Sequence, residues 1–285
     1  MKKLFGLFAL LSLVLSACSA PVEENQLVVG MECAYAPFNW TQVEASDTAF
    51  LINNEEGTGY CDGYDVQIAK AIADELGQDL LVKKIAWEGL IDSLNNGEID
   101  MIVAGMTDTA ERRESVSFST PYYQSDLVLI VRNDSAYASA TSLQDFNGST
   151  VVAQKGTFHD TVVDQIPSVN HMTPLGSFAL LTNSVVNGEA DAMVSEYPVA
   201  LSIVGTNPDL KIITFVAGSG FETSFEDTTV SVAVRKDDTE LLNTINTVLS
   251  NLNEETRSEW MKDAIERQPE RSEEHTSELQ SRHNL

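Results

Sequence analysis

The chain has 285 residues, 43% of them hydrophobic, with 43 acidic against 17 basic side chains and a formal net charge of −26 at pH 7. That charge repels nucleic acid and anionic lipid headgroups, which excludes nucleic acid as a partner, and favours attraction of cations. The length exceeds one ordinary domain and suits two lobes; three cysteines make neither a disulfide framework nor a zinc site.

At the N-terminus, Lys2 and Lys3 precede an uncharged apolar run over residues 4–15, shorter than the about 20 residues a membrane-spanning helix needs. The run ends in Leu15-Ser16-Ala17-Cys18, which resembles the lipobox of bacterial lipoproteins. That resemblance implies cleavage before the cysteine, whose thiol carries a diacylglycerol; two acyl chains, palmitate among the candidates, anchor stably where one is marginal. Residues 1–17 are thus expected to be a signal peptide, Cys18 the lipidation site and 18–26 a linker. The protein is expected outside the cytoplasm, anchored to the cell membrane.

Leu27-Val28-Val29-Gly30-Met31 reads as a first strand. Phe38-Asn39-Trp40 and Gly59-Tyr60-Cys61 flank an expected hairpin with an acidic, Asn-rich tip at residues 53–57. Val66, Ile68, Ala69, Ile72, Ala73 and Leu76 recur at helical spacing, with Gly77 as the stop. Leu80-Leu81-Val82 follows as a strand, then a short helix around Leu90, Ile91 and Leu94, then a buried strand over 99–104. This alternation argues for parallel α/β sheets. Asn96-Gly97-Glu98-Ile99-Asp100-Met101-Ile102-Val103 returns as Asn187-Gly188-Glu189-Ala190-Asp191-Ala192-Met193-Val194, either by chance or as one element used in two lobes of similar wiring. In open α/β sheets ligands bind beyond the carboxyl ends of strands, which makes Gly105-Met106-Thr107 and Ser195-Glu196 candidate ligand positions. The apolar segments 127–131 and 230–234 are expected to cross between the lobes. Asp237-Asp238 offers an N-cap to a helix with Leu241, Leu242, Ile245, Val248, Leu249 and Leu252 on its apolar face. A last helix around Trp260 and Ile265 closes the first lobe. Residues 271–285 read like translated sequencing adapter and are set apart as a non-native tail; an ordinary polar tail would change no functional expectation.

Seven phrases in order carry a family resemblance: Tyr35-Ala36-Pro37-Phe38, Gly63-Tyr64-Asp65-Val66-Gln67-Ile68-Ala69, Trp87-Glu88-Gly89-Leu90-Ile91, Gly105-Met106-Thr107-Asp108-Thr109-Ala110-Glu111-Arg112, Phe118-Ser119-Thr120-Pro121-Tyr122-Tyr123, Gln154-Lys155-Gly156-Thr157 and Val232-Ala233-Val234-Arg235-Lys236. From about Leu27 to Ile265 the chain resembles the polar amino-acid branch of the bacterial extracellular solute-binding proteins, the solute receptors of ABC importers. The resemblance implies an α/β fold of the periplasmic-binding-protein type II: two Rossmann-like lobes joined by two crossing strands. Residues 27–124 and 230–267 would form the first lobe and 125–229 the second.

A free amino acid presents a carboxylate and an ammonium on one carbon, and neither is buried cheaply without partners. By resemblance Arg112 takes the carboxylate bidentately, with Thr107, Thr157 and the N–H groups after Gly156, that of Phe158 included. Gly105 C=O and Glu196 take the ammonium; many relatives carry Asp at the place of Glu196. The side chain would lie between Tyr35 and Trp87, whose faces accept aliphatic stems and cations, with Glu32 at its far end and Gln154 alongside. Arginine or lysine is the first expectation, glutamine or histidine the next. Arg113 is expected to face solvent.

If Cys18 is lipidated, Cys33 and Cys61 remain in an oxidising compartment, to pair or to stay free. No His-Glu-x-x-His, Gly-x-Ser-x-Gly, phosphate-cradling loop or Cys-x-x-Cys is present. His159 and His171 fit no metal-ligand spacing; His159 falls just after the second-lobe carboxylate site, where ligand contact is one reading, and is expected on the surface. No metal, cofactor or catalysis is expected. The partners are a free amino acid and a membrane ABC permease, and the chain acts as a monomer. A lipid-anchored sensor subunit and a dehydratase-like enzyme on the same fold are the alternatives.

Overall fold

Two five-stranded mixed sheets carry the fold in the computed structural model, which describes residues 25–53 and 59–268. The expected signal peptide, Cys18, most of the acidic hairpin tip and the tail 271–285 lie outside those residues.

In the first sheet the strands run Asp79–Lys84, Gln26–Met31, Met101–Ile102, Ala233–Arg235, Val116–Phe118. The first three are parallel and the fourth is antiparallel to both its neighbours. The second sheet repeats this wiring with Asn170–His171, Thr150–Val152, Ala192–Glu196, Leu127–Arg132 and Leu210–Ile213. The helix Tyr64–Leu76 seals the first lobe with Val66, Ile68, Ala69, Ile72 and Ala73, all fully buried; each large aliphatic among them contributes about 1.5–3 kcal/mol. Thr239–Asn251 and Glu254–Arg267 pack on that helix. Asp238 caps the first of these two by accepting the Leu241 N–H at 3.2 Å.

The repeated phrase is a structural repeat. Asn96 and Asn187 end the helices Leu90–Asn95 and Phe178–Val186. Gly97 and Gly188 follow at φ 76° and 75°, a left-handed conformation that favours glycine. Asp100 then accepts the Val28 N–H at 3.0 Å, and Asp191 the Thr150 N–H at 2.8 Å. Each repeat borrows an arginine from the antiparallel strand beside it. Arg235 Nη1 donates to the carbonyls of Leu94 and Ile99, and Arg132 Nη1 to those of Val185 and Ala190. A cation on the last helical carbonyls satisfies groups that would otherwise be orphaned.

The crossing between lobes is shorter than the sequence suggests. Tyr123–Gln124 pairs antiparallel with Thr229–Val230, and this ribbon lies between the two sheets in the chain order. Leu127–Arg132 lies wholly inside the second sheet, between Ala192–Glu196 and Leu210–Ile213, because its apolar residues need cover on both faces. Likewise Ala233–Arg235 already belongs to the first sheet. Cys33 and Cys61 form a disulfide with Cα atoms 5.7 Å apart. It ties the turn after the first strand to the hairpin of Asn39–Gln42 and Tyr60–Asp62.

Candidate functional site

The strand ends of both sheets meet at one interlobe cavity of about 20 Å³. From the first lobe come Glu32 and Tyr35, just beyond Gln26–Met31, and Trp87, at the start of a short 3-10 turn. Gly105 and Thr107 follow Met101–Ile102, and Arg112 begins the next turn. The second lobe supplies Gln154, Thr157 and Phe158 beyond Thr150–Val152, and Glu196 at the end of Ala192–Glu196. All ten candidate residues therefore line the same cavity, where the sheet wiring places ligands.

The repeat makes these positions correspond. Glu32 stands four residues after Val28 and Gln154 four after Thr150, the two amides held by Asp100 and Asp191. Gly105 and Glu196 lie at the same distance beyond those aspartates.

Several bonds join the lobes directly. Gln154 Nε2 donates to Glu32 Oε2 at 3.4 Å. Arg112 Nη2 and Trp87 Nε1 donate to Gly156 O at 3.0 and 3.4 Å. Lys155 pairs with Glu88 at 2.6 Å at the rim.

Arg112 is held from three sides. Its Nη1 donates to Thr107 O at 2.6 Å, and its guanidinium lies 5.0 Å from the Trp87 ring centroid. Burial draws its pKa down to about 10 against the pull of Glu111 and Asp108. Arg113, one residue on, is exposed and forms a two-pronged pair with Asp108 at 2.6 and 2.7 Å. Gly105 sits at φ 59°, and a Cβ there would come within 2.8 Å of the Tyr35 ring, so that ring and a side chain cannot both be present. Tyr35 itself stacks on Phe38 and meets Phe178 of the second lobe, with centroids 5.4 and 4.7 Å apart. The Thr157 hydroxyl donates to Gln154 O at 2.7 Å.

His159 corrects a sequence expectation. It is buried, not on the surface, and lines the cavity with Nε2 3.4 Å from Glu196 Oε1. Its place just after Thr157 and Phe158 is the one sequence signal that it reaches the cavity. The Nδ1 of His159 and the Oε2 of Glu196 are buried without a hydrogen-bond partner among the described residues. Burial, with Arg112 adding to it, lowers His159 to about 4; burial raises Glu196 to about 8. Burial also raises Glu32, opposed by the bond from Gln154 and the charge of Lys84. A buried acid without a cation beside it, as Glu196 is, holds its proton, and a cation delivered to it would be held strongly. Ala104 completes the lining. Among the described residues no His, Cys, Asp and Glu group is arranged to hold a metal; His171 instead bonds Asp160 and Asp164 through opposite ring nitrogens at 2.8 Å each.

The family model for bacterial extracellular solute-binding proteins, family 3, matches residues 27–263. The ABC transporter arginine-binding protein 1 of Escherichia coli is 28% identical over 251 residues, 88% of this chain and 93% of that protein. An amino acid ABC transporter substrate-binding protein from Streptococcus pneumoniae, solved with L-arginine bound, superimposes with a TM-score of 0.73 at 28% identity, covering 85% of this chain and 94% of the other. An ancestral amino acid-binding protein, a precursor of cyclohexadienyl dehydratase, gives a TM-score of 0.67 at 28% identity, covering 85% and 96%.

Proposed function

The chain belongs to the bacterial extracellular solute-binding proteins, family 3, and on that footing we propose that it is the substrate-binding component of an amino-acid ABC importer, taking a free polar or cationic amino acid between its lobes. The observation that carries this reading is the charge pattern of one cavity: Arg112, Glu196 and Glu32, with aromatic walls at Tyr35 and Trp87. Arg112 serves the α-carboxylate as a planar fork, exchanging its bond to Gly156 O for the ligand. Glu196 Oε2, which has no hydrogen-bond partner among the described residues, serves the ammonium. Glu32 and Gln154 read the side chain, which ranks arginine and lysine ahead of glutamine and histidine. The arginine-binding relative and the arginine-bound structure support that order.

A cavity of about 20 Å³ holds about one water. An amino acid therefore enters by separation of the lobes about the Tyr123–Gln124 and Thr229–Val230 ribbon, and the lobes close again over it. In this reading residues 27–124 and 230–267 move as one lobe and 125–229 as the other. The chain binds without turnover, as a monomer, and delivers its ligand to a membrane permease. Cys18 carries the lipid that keeps it at the outer face of the membrane.

A thermal-shift screen of the common amino acids tests the proposal, since a ligand at 100 times its dissociation constant adds about 2.7 kcal/mol. Stabilisation by arginine, lysine, glutamine or histidine is expected. Stabilisation by aspartate, glutamate or a sugar alone would contradict it, and chemical conversion of the bound amino acid would favour the dehydratase alternative.

A further inference from the structure

The phrase Gly63-Tyr64-Asp65 contributes nothing to the cavity lining, yet its acid is fully buried close behind it. Asn39 Nδ2 and Tyr122 OH each donate to the Asp65 carboxylate at 2.7 Å. The same Tyr122 hydroxyl accepts the N–H of Gly105 at 3.0 Å, and Gly105 is a cavity residue. Burial pushes Asp65 up to about 7, opposed by the bonds from Tyr122 and Asn39; either protonation state leaves an oxygen to accept from Tyr122.

The main chain of Tyr122 faces the hinge. Its N–H donates to Val230 O at 2.9 Å, on the returning strand Thr229–Val230, and the next residue begins the outgoing strand Tyr123–Gln124. Its carbonyl accepts the Tyr64 hydroxyl at 2.9 Å. Met106, the neighbour of Gly105, accepts the Ser231 N–H at 2.9 Å. The Gly105–Met106 corner of the cavity is thus bonded to both crossing segments, to one through a side chain and to the other through main chain.

We propose that Tyr122, oriented by Asp65, is a positioning residue that fixes the Gly105 wall of the cleft to the hinge, so that ligand contact at that wall and lobe closure proceed together. The inference rests on the proposed function above. In that reading Gly105 meets the ammonium that every α-amino acid carries, so Tyr122 affects all ligands alike, whereas Glu32 ranks them by side chain.

Tyr122→Phe and Asp65→Asn, each first shown by melting to be folded, test this with calorimetry against arginine and glutamine and with small-angle scattering to follow closure. Tyr122→Phe keeps the ring and loses both hydroxyl bonds. It should weaken every ligand about fivefold, the worth of one net hydrogen bond, leave their ranking unchanged, and reduce the compaction seen at saturating ligand. Asp65→Asn keeps an acceptor for the hydroxyl and should lose less. A Tyr122→Phe protein that binds within twofold of the parent and compacts as fully would overturn the inference, as would a loss confined to one ligand or a larger loss in Asp65→Asn. If the parent itself binds no amino acid, the importer reading is what fails.

Discussion

Glu32 and Gln154 occupy matching positions in the two lobes, and Gln154 Nε2 donates to Glu32 Oε2 across the cleft at 3.4 Å. The lobes thus meet through the same point of a repeated element, with an acid on one side and an amide on the other. Because the amide has a second anchor, Gly176 O at 3.3 Å, it can turn from Glu32 to a ligand without being left unpaired.

Glu32 should therefore read ligand charge. Glu32→Gln is expected to weaken a cationic amino acid by at least about tenfold, the loss of one charge-assisted bond, and a neutral one by less than about threefold. Burial already raises the Glu32 pKa, so the parent should lose affinity for the cationic ligand as pH falls toward and through the usual carboxyl range. Calorimetry with arginine and glutamine measures both. Equal losses for the two ligands would show that Glu32 does not sense side-chain charge.

In the proposed site, Glu196 should tie capture to a proton. At pH 7 its carboxyl, raised to about 8, is mostly protonated in the closed cleft, and an ammonium placed against it favours the carboxylate. Binding should release up to one proton, and affinity should weaken as pH falls below about 8. The effect on stability has the opposite sign. The folded chain holds this proton between the ordinary value of 4.5 and about 8, so the contribution of Glu196 to stability declines as pH rises through that window. His159, lowered to about 4, is neutral over most of it. Titrations in buffers of different ionisation enthalpy read the proton; the release should vanish in Glu196→Gln, and none from the parent would refute the coupling.

Much of this was legible in the sequence, for reasons that differ by residue. The Asn-Gly-x-x-Asp phrase reports the architecture because glycine is favoured at the left-handed stop and the aspartate must reach the neighbouring strand's amide. Arg132 and Arg235, which complete both repeats, carry no local sign, since each lies far along the chain from the helix end it caps. The crossing strands read too long in the sequence for a similar reason: apolar runs mark strands that are covered, and the crossing ribbon itself is only two residues wide on each side. His159 reads as a surface residue in the sequence because its burial depends on partners far along the chain, such as Phe178, whose ring meets it edge-on at 6.0 Å. Asp65 was visible only as part of a phrase, and its bonds to Asn39 and Tyr122 span 26 and 57 residues.

The disulfide between Cys33 and Cys61 closes a separation of 28 residues. Removing it by Cys33→Ser with Cys61→Ser should cost about 3 kcal/mol of stability, read as a lower melting temperature. Glu32 and Tyr35 flank Cys33, so affinity should fall as well. An unchanged melting temperature would show that the bridge does not form in the protein.

In the proposed reading, anchoring depends on the thiol of Cys18. Cys18→Ser should leave the precursor uncut or release the protein to the soluble fraction, as cell fractionation and the mass of the mature chain would show. Normal processing with membrane retention would reject Cys18 as the lipid carrier.

Arg112 bears most directly on whether a free amino acid is held between these lobes by its carboxylate. Truncating one partner of a buried, hydrogen-bonded charge pair costs about 2–5 kcal/mol, roughly thirty- to several-thousand-fold in affinity. The measurement is calorimetry of the stabilising amino acid on folded Arg112→Ala, Arg112→Lys and Arg113→Ala proteins. Arg112→Ala should lose binding by that range and Arg112→Lys should recover it only in part, because an ammonium lacks the planar fork. Arg113→Ala, whose side chain is exposed and turned to Asp108, should bind nearly as the parent does. If Arg112→Ala binds within threefold of the parent, or Arg113→Ala is the damaging change, the carboxylate is held elsewhere and the site must be reassigned.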